Sequence, residues 1–266
     1  MYRGFKLKIS DSERQALLRK CDLTYDPIKA TVGDGDMEKA LQTVNANWIM
    51  DNWFKNYDAD IFLSHSHGDK DLASKVAALF NQKGLKVFID SDVWGCSDNM
   101  LRKIDNAYCV SERGEDGCIK TYSYNKRNVT TSHVHMLLSH ALTRMIARTE
   151  CFIFLETAKS TFNSKGREIG TYSPWLFHEL EVANVIERQR LLRKRFFPAE
   201  KIAKDEAVTE SYKPFVLKFS ANAAKLREVS LQNLMMLLKE TGNTTNWYSH
   251  DDAMRFLDQL YEQWTV

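Results

Sequence analysis

Glu179 stands four residues after Trp175 in Ser173-Pro174-Trp175-Leu176-Phe177-His178-Glu179-Leu180. On a helix that spacing is one turn, so both side chains face one side. The carboxylate then either sits under the crevice of a sheet, in reach of a ligand, or is a solvated helix glutamate. Position alone leaves both readings open. Ser64-His65-Ser66-His67 packs two hydroxyls and two imidazoles into four residues. They donate to a ligand's oxygens, or they satisfy the backbone of their own polar loop. Trp94 offers a stacking face, or serves as a core or assembly aromatic. Arg127, near Tyr124, suits a phosphate-bearing ligand as part of a lid, or is a solvated loop charge. His133-Val134-His135 follows the long loop, and one of its histidines is a candidate to reach the same region. His65-x-His67 with His133-x-His135 matches no specific metal-ligand spacing, so no metal is expected. There is no GxGxxG between a strand and a helix and no Walker A sequence. Neither a hydride-carrying dinucleotide cofactor nor an NTPase site is indicated. The turn cluster Thr31-Val32-Gly33-Asp34-Gly35-Asp36 lacks the spaced ligands and closing Glu of a calcium loop.

These groups need a scaffold to bring them together. Ala59-Asp60-Ile61-Phe62-Leu63 is a short apolar run ending in the polar 64–68 loop, the pattern of a strand. Asp69 is expected to cap the next helix, on which Leu72, Val76, Leu79 and Phe80 recur at helical spacing until Gly84. Lys86-Val87-Phe88-Ile89-Asp90 is a second strand, and the helix-length crossover makes the two parallel. The loop Ser91-Asp92-Val93-Trp94-Gly95-Cys96-Ser97 follows, then a helix from Met100 to Tyr108. Glu112 to Thr131 is polar and reads as a long loop. Ser132 is expected to cap a helix running to Arg148, ahead of a third strand, Cys151-Phe152-Ile153-Phe154-Leu155, too continuously apolar for an exposed edge.

Lys159 to Thr171 reads as loop, and Ser173-Pro174 opens the next helix. The Arg-rich stretch from Glu187 to Arg195 reads as an exposed helix face or a contact surface. Phe215-Val216-Leu217 reads as a last strand, with tail helices over 230–240 and 251–263. The first 56 residues have no clear period, apart from a helix from Met37 to Phe54 that packs through Trp48 and Trp53. The chain thus divides into a helical extension, 1–56, and an α/β domain, 57–266, with a long inserted loop near 109–131. The alternation of strands and helices argues for three layers around a parallel sheet. In such a sheet ligands bind beyond the carboxyl ends of the strands. The 64–68, 91–97 and 159–175 loops fall there, so His65, Trp94 and Ser173 are expected to cluster.

A length of 266 residues allows a sizeable core. Lys plus Arg is 37 against 35 for Asp plus Glu, a net charge of +2 that gives no reason to expect nucleic acid or an anionic membrane as partner. No apolar run approaches the ~18 residues of a membrane span. Met1-Tyr2-Arg3-Gly4-Phe5-Lys6 lacks the apolar block of a signal peptide. Five scattered Cys without a CxxC argue against a disulfide framework and fit a reducing cytoplasm.

Tyr57-Asp58-Ala59-Asp60-Ile61-Phe62-Leu63-Ser64-His65-Ser66 resembles the first box of TIR (Toll/interleukin-1 receptor) domains. Val87-Phe88-Ile89-Asp90 is similar to the strand that leads into their BB loop. Ser173 to Leu180 is similar to the family's Ser-x-Trp-Cys-x-x-Glu-Leu motif, with Leu176 in the Cys place. The three motifs keep the family's order. The stand-alone layout resembles bacterial TIR proteins of anti-phage defence, such as those of Thoeris systems. The resemblance implies a flavodoxin-like TIR fold with helices on both faces of a central parallel sheet.

The resemblance also implies an activity, cleavage of the nicotinamide–ribose bond of NAD+, with NAD+ as substrate and no cofactor. Glu179 matches the family's catalytic glutamate. One carboxylate suffices for this chemistry. Glycosidases need two because a leaving oxygen must be protonated, whereas nicotinamide departs neutral from a pyridinium. Ser64, His65, Ser66, Trp94, Arg127, His133, Ser173 and Trp175 become candidate contacts to NAD+. Hydrolysis, cyclisation and transfer share the first step, so the product is free ADP-ribose or a cyclic or conjugated signal derived from it. The implied partners are a homo-oligomeric TIR assembly and a downstream effector reached through a diffusible nucleotide. The competing reading is a non-catalytic adaptor that assembles through its BB loop; a third is a nucleotide-processing ribosyltransferase of similar fold. Leu176, the long 112–131 stretch and the first 56 residues depart from the family pattern.

Overall fold

In Arg3-Gly4-Phe5-Lys6-Leu7-Lys8, the buried Phe5 and Leu7 alternate with Gly4, Lys6 and Lys8, and the segment forms strand β1 (Arg3–Lys8). In the computed structural model, which describes residues 3–27, 58–91, 98, 101–164, 168–186, 219–220, 223, 226–240 and 250–263, this strand lies inside the central sheet. Its companions are β2 (Ile61–Ser64), β3 (Val87–Ile89), β6 (Cys151–Glu156) and β10 (Arg227–Ser230). The order is β10-β1-β6-β2-β3, and every pairing is parallel. The other described strands form two smaller sheets. The layered α/β architecture read from the sequence is therefore the one observed. In the flavodoxin-like order 2-1-3-4-5, the fourth place goes to a strand from late in the chain. Here β1 fills it.

Residues 3–8, read as part of a helical extension packing on the core, are instead a strand of the central sheet itself. Beyond β1, α1 (Asp11–Leu18) opens with a capping box: Glu13 Oε2 accepts from Ser10 N at 2.9 Å, and Ser10 Oγ accepts from Glu13 N at 3.4 Å. The rest of the described segment is stitched to the core. Lys75 Nζ donates to the carbonyls of Lys20 and Leu23, and Tyr25 OH donates to the carbonyl of Val87. The helix read over Met37–Phe54, the Thr31–Asp36 cluster, the 187–195 stretch and the strand read at 215–217 lie outside the described residues.

The chain divides into two compact units, one of Met1–Ile28, Asp58–Ile89 and Ile146–Val266, the other of Lys29–Tyr57 and Asp90–Met145. In the first, one sheet face presents Phe5, Leu7, Ile61, Leu63, Val87, Ile89, Ile153 and Val229 to a core built with α1, α2 (Lys70–Asn81), α5 (Leu231–Glu240) and α6 (His250–Gln263). Helix α2 buries Leu72, Val76, Leu79 and Phe80, as their spacing predicts. It ends where Gly84 takes φ +78°, a left-handed conformation that suits glycine, and Leu85 N–H bonds back to the Phe80 carbonyl. The opposite sheet face carries Phe62, Phe88 and Phe152, with ring centroids 5.2 and 5.7 Å from Phe62. Helix α4 (Pro174–Val185) lies on that face. Residues 159–171, read as loop, contain the antiparallel pair β7 (Phe162–Ser164) and β8 (Glu168–Thr171), extended by β9 (Phe219–Ser220). The tail helices fall where the sequence placed them.

In the second unit, the helix read over Met100–Tyr108 is helical at 101–104 and runs into a π-helical turn at Asp105–Cys109. The expected 112–131 loop is a hairpin of β4 (Val110–Arg113) and β5 (Ile119–Tyr122), followed directly by α3 (Tyr124–Arg148). Ser132 is not a cap; it lies inside α3, where its Oγ donates to the Asn128 carbonyl at 2.7 Å.

The sheet position of β1 has a measurable consequence. Phe5 is 2% exposed and stacks with Tyr261 at 6.0 Å. Phe5→Ala is expected to cost about 3–5 kcal/mol in urea unfolding. A loss of under about 0.5 kcal/mol, the scale of a surface substitution, would place β1 outside the core.

Candidate functional site

Strand alternation puts Ser64, the last residue of β2, on the same face as Phe62. On that face it meets α4. This helix starts as its sequence predicts: Ser173 Oγ accepts from Leu176 N at 3.2 Å, and Pro174 takes the first turn, where no N–H is needed. Glu179 lies between the first and last turns of α4 and is 0% exposed. Ser64 Oγ donates to Glu179 Oε2 at 2.5 Å. Residues 115 positions apart thus meet at the carboxyl end of the parallel strands, where open α/β sheets bind ligands. Of the two readings of Glu179, the solvated helix glutamate is excluded by its burial.

A second buried carboxylate lies just beyond. Asp69 was expected to cap α2, but its side chain makes no cap bond. Its Oδ2 accepts from Ser66 Oγ at 2.7 Å and from Thr157 Oγ1 at 2.5 Å, and Arg14 Nε lies 3.4 Å from Oδ1. Thr157 Oγ1 in turn accepts from the N–H groups of Lys159 and Ser160, and Lys159 Nζ donates to the Gly68 carbonyl. The loop after β2 and the turn after β6 are therefore bonded to one another. A sequence scan for Asp before an apolar helical run finds Asp69 and assigns it the wrong task. Arg14 and Thr157 carry no local signal.

The structure sorts the other candidates. His65 is 3% exposed, next to Ser64, and Ser66 is buried with its hydroxyl committed to Asp69. Ser173 spends its hydroxyl on the helix cap. Trp175 is half-buried on the same helix as Glu179, one turn earlier. Trp94 lies outside the described residues. Arg127 and His133 belong to the second unit. Arg127 is on the first turn of α3 rather than in a loop, and its Nε bonds Asp105 Oδ2 at 2.8 Å. Asp105, almost fully buried, also accepts from Thr130 Oγ1 at 2.8 Å. Arg127 is thus tied down within its own unit. His133 is exposed on α3.

Toward the β10 side, the face that carries Ser64 becomes ionic. Lys6 Nζ lies 3.4 Å from both Glu156 and Glu228, and Lys8 Nζ lies 2.7 Å from Glu228. The hydrogen bond between Lys8 and Glu228 holds the lysine above its ordinary value and the glutamate below its own.

No protein-family model, curated protein or solved structure matches this chain.

Removing the Ser64 hydroxyl takes a donor from a carboxylate shut off from water. Ser64→Ala is expected to cost about 1–3 kcal/mol in chemical denaturation. An unchanged midpoint would show that the bond to Glu179 is not formed in solution.

Proposed function

We propose that this chain is a TIR-type enzyme that cleaves the nicotinamide–ribose bond of NAD+, with Glu179 as the catalytic carboxylate. The observation that carries the reading is the burial of Glu179 under the carboxyl ends of the strands, with Ser64 holding one of its oxygens. That pair joins the first and third of the motifs that resemble the TIR family.

The chemistry fits a single carboxylate. The bond from ribose C1′ to the pyridinium nitrogen breaks, and its electron pair stays on nitrogen, so nicotinamide leaves neutral. Positive charge develops on C1′ and the ring oxygen. A carboxylate fixed in a site poor in water stabilises that charge more than a solvated one does, and it need not reorient during the reaction. The ribose hydroxyls are its natural partners before the bond breaks. The cation is then captured by water, giving ADP-ribose and a proton, by a nitrogen of the substrate's own adenine, giving a cyclic product, or by another nucleophile. A drier site favours the last two. A product of this kind would act in anti-phage signalling as a diffusible messenger to an effector.

Mass spectrometry of NAD+ incubated at high protein concentration tests the reading. The wild type is expected to release nicotinamide, and Glu179→Gln to release it at least about 10²–10³-fold more slowly. The amide keeps the size of the side chain and an acceptor for Ser64. Equal release by both proteins removes Glu179 from the chemistry. No release by the wild type, in buffer and in infected-cell lysate alike, turns the reading to an adaptor.

A further inference from the structure

Asp69 gathers three partners from three stretches of chain: Ser66 from the loop after β2, Thr157 from the turn after β6, and Arg14 from α1. Its side chain has no exposed surface. Two hydroxyls share one oxygen, but hydroxyls carry no charge. Arg14, its Nε 3.4 Å from Oδ1, adds an opposite charge, which counts for more beside a buried carboxylate than beside a solvated one. The guanidinium is held on a firm base, because α1 is capped by Ser10 and Glu13 and the chain after it is fastened by Lys75. Ser66 follows Ser64 by two residues. Thr157 follows Phe154 by three, and Phe154 is the sheet partner of Ser64. The junction at Asp69 thus lies immediately past the two strand ends that present Ser64 to Glu179.

We infer that Arg14, acting through Asp69, is a positioning residue of the Glu179 site. It sets the loops that follow β2 and β6, and with them the direction of Ser64 and His65. The inference rests on the proposed cleavage of NAD+ for its catalytic consequence, and on the geometry alone for its structural one. The segment from β1 to α1 is then part of the working site.

The test uses the full chain and two readouts. The first is nicotinamide release from NAD+ by the wild type, Arg14→Ala and Arg14→Lys. A displacement of ~1 Å at a reacting group costs on the order of 10²-fold. Arg14→Ala is therefore expected to lower kcat by about 10- to 100-fold while KM moves by less than about threefold. Arg14→Lys, and guanidinium ion added to Arg14→Ala, are expected to restore part of the rate. The second readout is amide hydrogen exchange. It is expected to accelerate in peptides covering 64–69 and 157–160 and to stay unchanged over 72–80 in α2. Wild-type kcat in folded Arg14→Ala, a loss confined to KM, or exchange that accelerates everywhere alike overturns the inference. If the wild type releases no nicotinamide, the proposed function fails separately and the exchange pattern alone decides, local acceleration supporting the inference and a uniform or absent change overturning it. Should Arg14→Ala fail to fold, Arg14→Gln carries both readouts.

Discussion

Strand β6 pairs with β2 on one edge and β1 on the other, and the candidate site exists because both pairings hold their register together. Ser64 lies opposite Phe154, and Lys8 opposite Glu156. A slip of one residue in β2 would turn Ser64 to the other face, away from α4. Polarity alone does not guard against that slip, since Ile61, Phe62 and Leu63 are all buried. Shape does. In β2, β3 and β6, Ile61, Leu63, Val87, Ile89 and Ile153 fill the face shared with α1, α2, α5 and α6, while Phe62, Phe88 and Phe152 cluster on the other. Swapping the two sets would overpack one layer and leave holes in the other.

Charge on the sheet is sorted by face: Arg3 and Arg227 open β1 and β10 on the Phe5 face, and the other charged residues lie opposite. Strands β2, β3 and β6 are mostly apolar, whereas Ser64, Glu156, Lys6, Lys8 and Glu228 gather on a single face. Glu179 and Asp69 join them from neighbouring segments, both without exposed side chains. Hydroxyl donors serve both carboxylates, but Asp69 also has a guanidinium within ion-pair distance. Burying such groups opposes folding unless they are well bonded. The uninterrupted apolar layer beneath supplies the stability that offsets this cost.

The sequence made the strand–helix–strand unit from β2 to β3 legible, because apolar runs and a helical repeat there are dense and bounded by Gly84. Glu179 and Ser64 stood out as candidates because Ser64 ends a dense apolar run and Glu179 lies one turn after Trp175 on a helix opened by Ser173-Pro174. Strand β1 did not. Its alternation is with Gly4, Lys6 and Lys8, which reads as a short polar segment; the lysines are matched only by Glu156 and Glu228 from distant strands. Asp69 looked like a cap because its neighbours in sequence form a cap signature, whereas its partners are not local. The start of α3 escaped because Asn125, Asn128, Thr130 and Thr131 are weak helix formers. Ser132 within it bonds back to a helix carbonyl, so the residue type gives no sign of whether it starts a helix or sits inside one.

The placement of β1 also bears on how the chain reaches its native state. Phe5 pairs with Ile153 and Arg227, roughly 150 and 220 residues away, so two of the sheet's pairings close very long loops. The β2–α2–β3 unit, by contrast, needs only contacts within about 30 residues and is free to form early. Until β6 and β10 are in place, β1 has no neighbours, and the edges of β6 and β10 that it will cover stand open to other chains. By loop length, β1 is expected to join the sheet last although it comes early in the chain, and the uncovered edges of β6 and β10 are where unfinished chains would pair with one another.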